Sequence, residues 1–115
     1  MISWEEKSAL LSVLEDTRNL LARPGNNFIW SYWQDSAAAL KEIDGYITSI
    51  KNDQPFDIPK LSARFSATGS IQEVSFSGWV KEYLEIAARF DKAIKPFKVV
   101  RPVRKPAGPG KRFGV

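Results

Sequence analysis

The chain has 115 residues, 43% of them hydrophobic, with 17 Lys+Arg against 13 Asp+Glu and a formal net charge of +4. That length suits one domain with its own core. With no Cys and no His, disulfides, thiolate nucleophiles, Cys-type zinc sites and imidazole acid–base chemistry are excluded.

Ser3-Trp4-Glu5-Glu6 has the form of a capping box, a hydroxyl at the N-cap and Glu three residues later. Leu10, Val13, Leu14, Thr17, Leu20 and Leu21 follow at helical spacing until Pro24-Gly25 ends the run, which predicts a first helix over about 4–22. Asn26 or Asn27 is the next cap candidate. Ile29, Trp33, Ser36, Leu40, Ile43, Ile47 and Ile50 alternate steps of four and three, predicting a second helix over about 28–51. Gly45 inside it costs roughly 1 kcal/mol relative to Ala and implies a close neighbour.

The connector 52–76 is too long to be structureless. Asp57-Ile58-Pro59 reads as a cap with proline in a first turn, and Ser70-Ile71-Gln72-Glu73 as a second capping box that places Ile71 and Val74 inward. We therefore expect short helical turns here rather than the lone strand that alternation over 74–77 would allow. Val80, Tyr83, Ala87, Phe90 and Ile94, widened by Trp79, Leu84 and Ile86, predict a third long helix over about 78–94, which Pro96 stops. The expected fold is all-α: an antiparallel bundle of three amphipathic helices, forming a single helical domain over 1–96, with an extended tail over 97–115.

Charge divides along the same line. Residues 1–94 hold 10 basic and 13 acidic residues, and the remaining seven cations follow with no acid: Lys95, Lys98, Arg101, Arg104, Lys105, Lys111 and Arg112. Residues 95–115 also carry four of the seven prolines and three of the seven glycines, so packed helix is not expected beyond Pro96, nor a contribution of 97–115 to stability. Lys98, Arg101, Arg104, Lys105, Lys111 and Arg112 are the candidate residues for binding nucleic acid or another polyanion.

In the body, Phe28, Trp30, Tyr32 and Trp33 form a dense aromatic group. Trp33 belongs to the buried stripe. Trp30 and Tyr32 cannot both share its face of a helix, so they are the candidate partner-binding residues. The carboxylate pairs Glu5/Glu6, Glu15/Asp16, Glu42/Asp44 and Glu82/Glu85 read as solvated helix surface, with Glu85–Arg89 at ion-pair spacing. The hydroxyl-rich turn Ser66–Ser70 reads as capping, although a helix start there could take an anion. No nucleotide loop and no serine-nucleophile motif is present, and no cofactor or metal is expected.

The expected function is therefore a non-enzymatic protein-interaction module: an adaptor, an immunity-type inhibitor or an assembly subunit. The alternatives are a nucleic-acid-associated protein acting through its basic tail, and an enzyme or small-ligand binder. No apolar run approaches 18 residues, and the first residues lack a targeting pattern, so a cytoplasmic protein with no transmembrane segment is expected. Protein purified without a His tag should hold no stoichiometric zinc, iron or copper after mild dialysis. Elemental analysis checks this, and retained metal overturns the compositional argument.

Overall fold

The computed structural model describes the backbone of residues 2–100 and the side chains of residues 2–98. It is all-α, with no strand among the described residues. The helices are α1 (Trp4–Leu21), α2 (Ser36–Lys51), α3 (Ile58–Phe65), α4 (Ser70–Ser75) and α5 (Val80–Val100). None of them is long and apolar enough to cross a membrane.

The centre of the bundle is α1, which packs against both α2 and α5. Ion pairs fix the direction of each partner. Along α1, Lys7 meets Asp53 and Arg18 meets Asp44, so α2 runs antiparallel to it. Asp16 meets Arg89 and Arg23 meets Glu82, so α5 is antiparallel to α1 as well. α3 and α4 pack against each other and against α5. Leu10, Leu14, Leu21, Ile43, Leu61, Ile71, Val74 and Phe90 are among the buried side chains of this core. Phe65 of α3 stacks on Phe90 of α5 with ring centroids 4.1 Å apart.

Local chemistry explains most of the helix ends. The Ser3–Glu6 capping box forms in both directions, at 2.9 and 3.1 Å. Asp57 caps α3 by accepting from the Lys60 amide, with Pro59 in the first turn, where a missing N–H costs nothing. Ile71 and Val74 point inward, as their spacing predicts.

Several expectations are corrected. The second long helix begins at Ser36, not near 28, because side chains compete for the backbone amides before it. Asn27 Oδ1 accepts from the Ile29 amide, Ser31 Oγ from the Trp33 amide, and Asp35 from the Ala38 amide as the true N-cap. Ile29 is consequently exposed rather than part of the buried stripe.

Asn26 does not start a helix. Its Nδ2 donates to the Leu20 and Leu21 carbonyls, satisfying the end of α1. Ser70 is the first residue of α4, whose N-cap is Gly69, so the second capping box does not form. Gly69 has its own reason: a Cβ there would clash with the Ala63 and Arg64 carbonyl oxygens. Nothing approaches Gly45, whose expected close neighbour is absent. Leu84 is exposed on α5 instead of widening its buried face.

Pro96 does not end the last helix, which starts at Val80 rather than 78 and continues to Val100. A proline inside a helix costs roughly 3 kcal/mol through its lost N–H and ring clash. The compensation comes from the next residue. Phe97 packs edge-on against Phe56 at 5.8 Å, and Phe56 packs edge-on against Tyr46 at 6.2 Å, so this aromatic chain joins α5 to α2. The first residue of the expected tail is therefore part of the core's margin. Positions 101–115, with Arg101, Arg104, Lys105, Lys111 and Arg112, lie outside the described residues.

Phe97→Ala should lower unfolding stability by about 2 kcal/mol, roughly half the loss for a fully buried Phe. Urea denaturation checks this. An unchanged midpoint would mean that the Phe56 contact contributes nothing.

Candidate functional site

The segment between α1 and α2 is irregular but closely held. Gly25 adopts φ +87°, a left-handed conformation that suits glycine, and turns the chain back after α1. Asn26 then joins two elements, since its Oδ1 accepts from the Trp79 indole N–H at 2.8 Å while its Nδ2 closes α1. One residue later, the Asn27 amide donates to Ser77 Oγ at 2.8 Å. The segment is thus fastened to the turn between α4 and α5. The turns made by Asn27 and Ser31 send Trp33 inward, to 2% exposure, and leave Trp30 at 80% and Tyr32 at 69%.

Beneath Tyr32 lies a polar network centred on Glu42 of α2. Its Oε1 accepts from the Trp33 indole at 3.0 Å and from Arg64 Nη2 at 3.3 Å. Its Oε2 accepts from Arg64 Nε at 2.9 Å and from the Tyr46 hydroxyl at 3.2 Å. The Arg64 and Glu42 side chains are only 11% and 16% exposed. The Arg64 guanidinium sits 4.0 Å from the Tyr32 ring centroid and 5.7 Å from that of Trp33, so the cation lies against aromatic faces.

Burial pushes the Glu42 carboxyl upward, but the Arg64 and Trp33 hydrogen bonds, the Arg64 charge and Tyr46 together hold it below its ordinary range. Burial, reinforced by the Glu42 charge, drives the Tyr46 hydroxyl well above the usual phenol range. Glu42 is therefore a fixed, ionised acceptor with both oxygens engaged. Such a group is unsuited to take a substrate proton.

Trp30 leads elsewhere. It lines an open cleft of about 450 Å³ with Phe76, Gly25, Asn27, Glu73 and Ser77. Phe76, at the C-cap of α4, is itself 67% exposed. Glu73 makes no ion pair among the described residues. The cleft offers two aromatic faces, a carboxylate and a hydroxyl. Two of its lining residues, Asn27 and Ser77, are joined by a hydrogen bond, and the neighbouring Asn26 is held by Trp79.

The two candidate partner-binding residues thus have different settings: Trp30 lines the cleft, while Tyr32 covers Arg64. Lys98 is exposed on the last turn of α5. Sequence reasoning missed Phe76 and Glu73, which become neighbours of Trp30 only through the tertiary fold. Asn26 and Ser31 could have been found from their Asx- and Ser-turn chemistry.

The carboxylate expectations need correction at two places. Glu42 is drawn into the network instead of lying on solvated surface. Arg89 pairs with Asp16 of α1 at 2.7 Å rather than with Glu85. No cluster of three or more carboxylates able to hold a metal occurs among the described residues. The hydroxyl-rich turn is absorbed by structure: Ser66 Oγ donates to the Ala63 carbonyl, and the Tyr83 hydroxyl donates towards the Phe65 and Ser66 carbonyls at 3.0 Å each. No protein family, curated protein or solved structure matches the chain.

Glu42→Gln should cost about 2 kcal/mol, because Arg64 would keep a half-buried charge without its counterion. The acid dependence follows from the direction of the shift. A carboxyl held below its ordinary value stabilises the fold fully above that value, and the contribution disappears as pH falls through the lowered one. The stability curves of the wild type and the Glu42→Gln variant should therefore differ at neutral pH and draw together only as pH falls below the ordinary carboxylate range. Urea titrations at several pH values check this, and curves that stay parallel would exclude the linkage.

Proposed function

We propose that the chain is a non-enzymatic protein-interaction module. It seats an apolar side chain of a protein partner between Trp30 and Phe76, with Glu73 beside it for a basic group. One observation carries this reading: two large aromatic side chains, 80% and 67% exposed, line one cleft on a backbone held by hydrogen bonds. Isolated exposed apolar residues are ordinary, but paired aromatics in a concave, preorganised setting are where binding energy concentrates. A segment already ordered in the free protein loses little entropy on binding.

The chemistry of the remaining site supports binding over catalysis. The chain has neither Cys nor His, and the most enclosed acid–base pair, Glu42 with Arg64, is saturated by mutual hydrogen bonds. Adaptors, inhibitors and assembly subunits all require only such a surface. The cysteine-free composition accords with a cytoplasmic setting.

Capture of partners from the native host, with wild-type, Trp30→Ala and Phe76→Ala proteins, tests the reading. Each substitution should reduce recovery of the partner at least about tenfold while leaving unfolding stability within about 0.5 kcal/mol, since exposed side chains carry little of the fold's energy. Equal recovery by all three proteins, or none by the wild type, would refute it.

A further inference from the structure

The short stretch from Trp30 to Trp33 serves two cradles of the same composition. In one, the Tyr32 and Trp33 ring centroids lie 4.0 and 5.7 Å from the central carbon of the Arg64 guanidinium. Glu42 accepts from the same group, from Nε at 2.9 Å and Nη2 at 3.3 Å. In the other, Trp30 lines the cleft together with Phe76 and Glu73. Each cradle thus offers two aromatic rings and one carboxylate. The first is filled by the chain's own arginine. The second has no Lys or Arg in its lining, and Glu73 makes no ion pair among the described residues. The Asn27 amide is already engaged with Ser77 Oγ, and Asn27 Oδ1 with the Ile29 amide. The side-chain acceptors left to an incoming group are the Glu73 carboxylate and Ser77 Oγ.

We propose, resting on the reading of the cleft as a protein-docking site, that the partner residue seated there is an arginine. Its methylene stem supplies the apolar surface between Trp30 and Phe76, and its guanidinium meets Glu73. A leucine or phenylalanine would cover the rings but leave a half-buried carboxylate without a counterion. An anionic ligand would be repelled by Glu73. A lysine ammonium is compact and strongly hydrated, and it cannot lie flat on a ring. The guanidinium is planar, weakly hydrated and rich in donors, so it stacks on an aromatic face while presenting two N–H groups to a carboxylate. Arg64 does both at once within this fold. The cleft volume of about 450 Å³ admits one long side chain.

The test titrates the full chain with four blocked pentapeptides, each glycine throughout except for a central arginine, citrulline, lysine or leucine. Citrulline keeps the shape of arginine and lacks its charge. Binding is read from backbone amide and indole shifts in proton–nitrogen correlation spectra. The arginine peptide should saturably move the Trp30 indole and the Gly25 and Ser77 amides, with a dissociation constant on the order of 1–10 mM. It should bind at least about fivefold more tightly than the citrulline and leucine peptides, with lysine between them. Glu73→Gln should weaken the arginine peptide about threefold and leave the leucine peptide unchanged. Four outcomes overturn the proposal: citrulline or leucine binding as tightly as arginine, lysine binding more tightly, no effect of Glu73→Gln on the arginine peptide, or no cleft resonance moved by the arginine peptide. Each of these leaves partner capture at Trp30 and Phe76 to be decided by its own experiment, so the docking cleft and its choice of arginine fail separately.

Discussion

A carboxylate removed from water needs a donor for each exposed lone pair, and Glu42 satisfies that need with groups from three parts of the chain. Trp33 comes from the irregular segment before α2, Tyr46 from α2 itself and Arg64 from α3. Each donor is constrained in turn. The Trp33 indole reaches Glu42 only if the preceding backbone turns it inward, and Arg64 reaches it only if the end of α3 comes within side-chain reach of α2. With its ionised form stabilised by hydrogen bonds and its partner cation sheltered by Tyr32, the network acts as a polar clasp on an otherwise apolar bundle. A buried pair of this kind adds less net stability than specificity of arrangement, because desolvation offsets much of its attraction.

The exposed aromatic surface is a consequence of that clasp. Trp33 is turned in by the Ser31 and Asn27 side-chain bonds, and the same turns place Trp30 outward. A helix through this stretch would have spread the aromatics round its circumference. The irregular path instead concentrates Trp30 beside Phe76, which reaches the cleft from the C-cap of α4. Asn26 makes the arrangement rigid, since one amide side chain closes α1 with its donors and holds Trp79 with its acceptor. The cleft and the core are thus products of the same few polar side chains.

Charge is segregated as sharply as apolar surface. In the body, several cations pair with acids of other parts of the bundle: Lys7 with Asp53, Arg18 with Asp44, and Arg89 with Asp16. These pairs are partly exposed and individually weak, but they agree on one antiparallel register. Beyond Asp91 the sequence holds no further acid. Phe97 anchors the end of α5 to the body through Phe56. It also explains how a helix tolerates Pro96, since the edge-on contact with Phe56 lies just past the lost hydrogen bond.

By itself the sequence determined the helical class, the α1 boundaries, the Asp57 cap with Pro59 and the inward placement of Ile71 and Val74. All of these depend on interactions within a few residues, through spacing, capping and proline geometry. It also determined the division into a body rich in acids and an end without them, which is a matter of counting. The start of α2 at Asp35 was also local, set by side-chain bonds of Asn27, Ser31 and Asp35 to amides two or three residues on, a signal the apolar spacing outweighed. Where neighbours from distant parts of the chain compete, the tertiary structure decided. It extended α5 past Pro96, where Phe97 packs against Phe56. It turned Glu42 from a surface acid into a half-buried one and gave Arg89 to Asp16 rather than Glu85, because a facing helix offered the better geometry. The cleft joins Trp30 to Phe76 and Glu73 across more than 40 residues of chain, a separation at which periodicity and local propensity carry no information.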